Sequence, residues 1–165
     1  MSIIKGFNVK SKHFVYRNYW WVLLLTIFLS LLYMFFYSIE LKTGVPILVA
    51  QLSIFYFLQK QQLEEMKLFR EIFSECNKRY YYQSKELDDI FSDKQKVELD
   101  GNDKNILVNY FNLCGEEYIY YKRGYIYPSV WKSWHNGMQY YMGNKMIKNF
   151  WEKESKSDSY YGLKM

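Results

Sequence analysis

Two apolar runs near the start of the chain limit what it can fold into more than any other feature. The first, Trp20–Ile39, is 20 residues without a charge. At the α-helical rise it covers ~30 Å, the thickness of a bilayer's hydrocarbon core. The second, Val45–Leu58, has 14 uncharged residues. It covers ~21 Å as helix, a length also compatible with a buried core helix or a re-entrant segment. The flanking charge favours spanning. Lys5, Lys10, Lys12 and Arg17 precede Trp20 with no acid among them, and Lys60, Lys67 and Arg70 follow Leu58. The loop between the runs holds only Glu40 and Lys42. Basic residues stay on the cytoplasmic side, so the pattern predicts a two-span hairpin at residues 19–58 with both termini cytoplasmic.

Two other readings of these runs are weaker. A secretory signal has a shorter apolar centre and a small-residue cleavage site, whereas Ser38-Ile39-Glu40-Leu41 is a poor one. A single span, with the second run folded into a soluble domain, would use the shortness of Val45–Leu58 and its polar Gln51.

A chain of 165 residues leaves room beside a hairpin for one small domain, not for a large catalytic core. Aromatics make up 21% of it, and Tyr16, Tyr19, Trp20 and Trp21 fall where an interfacial belt would lie. Most of the net charge of +5 comes from the arm at residues 1–18, since residues 59–165 hold 17 basic and 16 acidic groups. A basic arm beside a membrane is a topology signal and a binder of anionic lipid headgroups before it is a nucleic-acid contact. Cys76 and Cys114 fall on the predicted cytoplasmic side and on apolar helix faces, so both are expected as buried thiols.

Within the hairpin the small and hydroxylated residues are few. Thr26 and Ser30 are four apart on the first span, and Pro46, Ala50 and Ser53 share a face of the second with Gln51 beside them. Such residues let membrane helices approach closely and hydrogen-bond. They are expected either to hold the two helices of one chain together or to face neighbouring subunits or a wet path. Neither span carries an ionisable group, so a proton relay has no support.

The second span is predicted to continue as a long helix through residues 59–91, because no Pro or Gly interrupts Gln59–Phe91. Met66, Phe69, Phe73, Cys76, Tyr80, Gln83, Leu87 and Ile90 recur at spacings of three and four, the stripe of a helix packed along its length. Two partners fit that stripe: the C-terminal helices of the same chain, or a second copy in a coiled coil. The Met, Phe, Cys and Tyr at its positions favour the first, since coiled-coil seams prefer branched aliphatics. Residues 92–104 read as a polar connector with an Asp-Gly turn. A C-terminal helical module is expected over 105–154: a helix at Asn105–Arg123 closed by Gly124, a second opening at Pro128, and a third over Asn144–Glu154. Residues 155–165 read as a tail. The expected fold class is all-α.

The signatures of common chemistry are missing. No glycine loop for phosphate, no Cys/His metal spacing and no nucleophile elbow is present. No catalytic residue, cofactor, metal or small-molecule substrate is expected, and the protein is read as a non-enzyme. A hydrolase could enlist Cys114, Glu116, Glu117 and His135, but adjacent carboxylates on a helix point ~100° apart. One of them is expected to pair with Arg79 or Arg123 and the other to be solvated. Trp131 and Trp134 are three apart, a spacing typical of core, although they could also stack on a partner. With Arg79 and Arg123 they are the candidate docking residues.

The segment Tyr110-Phe111-Asn112-Leu113-Cys114-x-Glu116-Glu117-x-x-x-Tyr121-x-x-Gly124-x-Ile126, followed by Val130-Trp131-x-x-Trp134-x-x-Gly137-Met138, resembles a signature of small bacterial membrane proteins. These have an N-terminal transmembrane hairpin and a helical cytosolic part. Phe73-x-x-x-Asn77-x-Arg79-Tyr80 agrees with it, and the resemblance covers roughly residues 45–155. Some two-transmembrane proteins of this build are effectors of retron anti-phage systems. The resemblance implies an inner-membrane effector held inactive by a reverse transcriptase with its RNA–DNA product, and membrane damage on release. It carries over no catalytic residue. Two functions are therefore expected: an effector that permeabilises or depolarises the membrane, with lipid and its own copies as partners, or a passive anchor or sensor that recruits a cytoplasmic partner.

Overall fold

The computed structural model describes residues 20–93, 96, 98–157 and 159–165. The basic arm, with Lys5, Lys10, Lys12, His13 and Arg17, and the belt residues Tyr16 and Tyr19 lie outside the described residues. Among the described residues the chain is all-α, with no strand. Five helices follow one another: α1 (Trp20–Phe36), α2 (Leu41–Ser92), α3 (Gly101–Lys122), α4 (Pro128–Tyr141) and α5 (Lys145–Glu154), followed by a 3-10 turn at Ser155–Ser157. Two compact units divide the chain, one ending at Lys67 and the other running from Leu68 to Met165.

In the first unit α1 stops three residues earlier than the apolar run does. Tyr37 donates to the Tyr33 carbonyl, Ile39 to that of Met34, and Ser38 takes a positive φ of 48°. The chain then re-enters helix at once. Thr43 and Gly44 both donate to the Glu40 carbonyl, which starts α2 at Leu41, four residues before the expected Val45. Among the described residues α2 is the one helix long and apolar enough to cross a membrane, by length and composition. The described part of α1 is apolar but shorter. Pro46 is the sixth residue of α2, so its missing N–H removes the helical bond to the Lys42 carbonyl.

The partly enclosed line of the hairpin is Leu23, Ile27, Ser30 and Met34 on α1 and Leu48, Gln51 and Phe55 on α2, with Gly44 fully buried. Gly44 is what permits the approach. A Cβ built there would fall within 2 Å of the Met34 Cε, so Met34 occupies the space a side chain would need. Trp20 meets Phe55 edge-on with ring centroids 4.5 Å apart. Almost all the other large apolar side chains of the unit are exposed, Phe28, Phe35, Val49 and Tyr56 among them.

The second unit has a conventional core. Leu87 and Ile90 of α2 pack with Leu107, Phe111 and Cys114 of α3, Met138 and Tyr141 of α4, and Ile147 and Trp151 of α5. The helix ends explain the boundaries. Asp100 is not a turn residue but the N-cap of α3. Its carboxylate accepts from the Asp103 amide at 2.9 Å, and the Asp103 carboxylate accepts from the Asp100 amide at 2.9 Å. This reciprocal box starts α3 at Gly101, four residues before the expected Asn105. At the other end Gly124 has φ 81°. Gly124 donates to the Tyr121 carbonyl and Tyr125 to that of Tyr120, the paired bonds of a Schellman close. Pro128 opens α4. Asn144 caps α5 by accepting from Met146 and donates to the Phe91 carbonyl of α2 at 3.2 Å.

The last residues are not a free tail. Tyr160 and Leu163 are buried in the core, with the Tyr160 ring 4.8 Å from that of Trp151. The strap lies against Gly115 of α3, where a Cβ would stand 3.5 Å from Tyr160 and Tyr161, in ordinary contact. Polar composition makes SKSDSYYGLKM look like a tail, but two aromatics and a leucine are enough to dock a short strap.

Candidate functional sites

Of the hairpin residues picked from sequence, Ser30 and Gln51 hydrogen-bond from one helix to the other. The Gln51 Nε2 donates to the Ser30 Oγ at 2.6 Å, and Ser30 in turn donates to the Thr26 carbonyl of its own helix at 2.8 Å. Thr26 donates to the Leu23 carbonyl and is exposed. Ser53 donates to the Val49 carbonyl, and Pro46, Ala50 and Ser53 face outward from the unit. The small-residue face of α2 is therefore not the one that packs on α1; the Gly44–Leu48–Gln51–Phe55 line is. The Gln51 Oε1 is buried and has no hydrogen-bond partner among the described residues.

The α2 stripe in the second unit packs on the C-terminal helices of the same chain. Phe73 stacks on Trp134 with centroids 5.8 Å apart, and Phe69 meets Tyr127 at 4.5 Å. Tyr80 and Tyr141 share a hydroxyl–hydroxyl bond of 3.0 Å. Tyr141 also donates to Asp88 at 2.8 Å; burial and these two bonds hold its phenol well above its ordinary pKa. Cys76, Leu87 and Ile90 are buried, whereas Met66, Phe73 and Tyr80 remain more than a third exposed. Ile72 and Arg79 are the more enclosed residues on that side of the helix. An aromatic at 73 or 80 reaches the neighbouring helix from the flank, so it fits the stripe in sequence without lying at its centre.

Both docking tryptophans are engaged inside the unit. Trp131 lies parallel to Tyr121 with centroids 5.1 Å apart and beside His135 at 5.5 Å, while Trp134 covers Phe73. Arg123 is exposed at the end of α3. Arg79 forks onto Glu116, with the Nη2 3.2 Å from Oε1 and the Nη1 bonded to Oε2.

The neighbouring Glu117 is buried, not solvated. Removal from water pushes its carboxyl up to about 8, with Arg79 opposing and Glu116 adding to the shift. Around it lie free thiols: burial, then the Glu117 charge, pushes Cys76 up to about 12 and Cys114 well above its ordinary value. Tyr110 is raised by burial and by its bond to Cys114. Protonated thiols and a protonated carboxyl are the stable forms at neutral pH, which is the reverse of an activated nucleophile. His135 lies apart from this group, against Trp131 and near Gln139. Its Nδ1 is buried without a partner. Among the described residues no group of three or more His, Cys, Asp or Glu could hold a metal.

One open cleft of about 500 Å³ lies between α2, α3 and the C-terminal strap, with Arg79 and Glu116 in its wall. Sequence reasoning missed it because the strap read as a tail.

No protein-family profile, curated protein or solved structure matches this chain.

Proposed function

We propose that the protein is a bacterial inner-membrane effector. Its hairpin of α1 and α2 spans the membrane twice with both termini cytoplasmic, α2 continues into the cytoplasm, and the helices after Lys67 form a cytoplasmic module that a partner restrains. Once released, the hairpins associate and permeabilise or depolarise the membrane. The signature over Tyr110–Met138 supplies the setting: the toxin arm of an anti-phage defence of retron type, with a reverse transcriptase and its RNA–DNA product as restraint.

The observation that carries this reading is Gln51. A tether needs only apolar side chains toward lipid, and the exposed Phe28, Phe35, Val49 and Tyr56 provide those. Gln51 instead places a carboxamide inside the hairpin with one oxygen unsatisfied. Such a group costs several kcal/mol where water is excluded. The closed hairpin therefore holds a polar group that gains a partner when the helices rearrange around water or another copy. The outward face of Pro46, Ala50 and Ser53 supports close approach of that copy. A membrane-potential dye and growth curves, read after expression of the full chain and of a chain lacking residues 20–58, test the idea. Depolarisation that requires the hairpin is expected. Normal potential with abundant membrane-inserted protein would sink the effector and leave the anchor.

A further inference from the structure

We propose that the cleft between α2, α3 and the C-terminal strap binds an unpaired purine base, adenine above all. The proposal does not depend on what the hairpin does. The volume of about 500 Å³ falls in the range of small-ligand sites. Gln83 of α2 and Asn109 and Asn112 of α3 line it. None of the three side chains, of which Asn109 and Asn112 are exposed, is hydrogen-bonded to another described residue, whereas Arg79 and Glu116 in the same wall are bonded to each other. Three uncommitted carboxamides on one cleft form a reading surface. Each presents a donor and an acceptor side by side, the pattern that matches the adenine N6 amine and N7.

The rings point the same way. Tyr82 from α2 and Tyr161 from the strap both line the cleft, and both are largely exposed. Every base offers a flat π face to such rings. Tyr161 is held in the left-handed region, with φ 57°, just before Gly162, whose φ of 77° glycine takes freely. The Lys122 Nζ holds the Tyr161 carbonyl at 3.2 Å. A non-glycine residue in the left-handed region is maintained at a cost, and such positions concentrate at ligand sites. Charge narrows the class further. Arg79, the cleft's one cation among the described residues, is already gripped by Glu116, so no free cation marks it as a phosphate site. A neutral sugar would use the carboxamides but waste the tyrosine faces.

The base can come from a free nucleoside or from a single strand, and the recognising chemistry is the same. Equilibrium dialysis of the detergent-solubilised full chain against adenosine, cytidine, maltose and a ten-nucleotide oligo-dA distinguishes them. Saturable adenosine binding is expected, preferred over cytidine and maltose. It should weaken at least tenfold in the Asn109→Leu/Asn112→Leu double variant and in Tyr161→Ala, at unchanged helicity. Oligo-dA binding at least tenfold tighter than adenosine assigns the base to a strand, and equal binding per site assigns it to a nucleoside. Photolabelling of the unmutated chain with 8-azidoadenosine gives a readout that no variant can confound: the label should map to the peptides holding Tyr82 or Tyr161. Absence of saturable adenosine binding, preference for maltose, undiminished binding by a folded double variant, or label elsewhere would each overturn the assignment.

Discussion

Arg79 on α2 grips Glu116 on α3 with both terminal guanidinium nitrogens, a two-pronged bond that ties the two helices together. It also separates the fates of two adjacent carboxylates. Glu116 ends half-exposed beside a cation, and Glu117, turned one residue further round the helix, ends buried among thiols.

The burial of Glu117 makes the module's stability fall with rising pH. A carboxyl raised from 4.5 to about 8 holds its proton in the folded chain after the unfolded chain has lost it. Stability from this group is fully present below pH 4.5 and is lost progressively up to about pH 8, with slope set by the extra proton bound when folded. Glu117→Gln keeps the shape and removes the titration. Thermal melts between pH 5 and 8 should show a declining Tm for the natural chain and a flatter profile for the variant. Parallel profiles would mean that Glu117 is ionised in the fold.

Loss of the Asp100 cap should be visible on its own. Asp100→Ala removes the acceptor for the Asp103 amide and is expected to cost about 1 kcal/mol. For a module of this size that is a Tm drop of roughly 4–8 °C, measured by far-UV circular dichroism.

Gly115→Ala is expected to stabilise. Its Cβ would lie in ordinary contact with Tyr160 and Tyr161 at 3.5 Å, and Ala in a helix interior is better than Gly by about 0.5–1 kcal/mol. A lowered Tm would show that the strap is packed more tightly on α3 than these distances allow.

Gln51→Leu tests the proposed leak separately from membrane insertion. It removes the bond to Ser30 together with the unsatisfied oxygen, and leaves an apolar pair of helices. Membrane insertion should persist while depolarisation falls to the background of the hairpin deletion. Full toxicity in this variant would remove Gln51 from the mechanism.

The apolar run after Glu40, the helical periodicity that puts Cys76, Leu87 and Ile90 on one face, the Gly124 stop and the Pro128 start were all legible in the residues, because each depends on local sequence. The pairing of one glutamate of the doublet with an arginine was legible too, but the choice of Arg79 over Arg123 was not. Less was legible about which face is buried. In the hairpin the small residues Ala50 and Ser53 drew attention, yet Gly44, Leu48, Gln51 and Phe55 make the contact, since the rotation of α2 is set by how Met34 fills the space at Gly44. Asp100 read as a turn because its cap partner is another aspartate, Asp103, in place of the usual glutamate.

By itself the sequence determined the helical class, the two apolar runs and most helix ends, since periodicity, caps and breakers act over a few residues. Only the tertiary structure decided that residues 159–163 dock as a strap, that Glu117 loses its water, and that Gln83, Asn109 and Asn112 share one cleft. Those outcomes depend on contacts between segments far apart in the chain, where the free energy of burial outweighs the polar character that each segment shows alone.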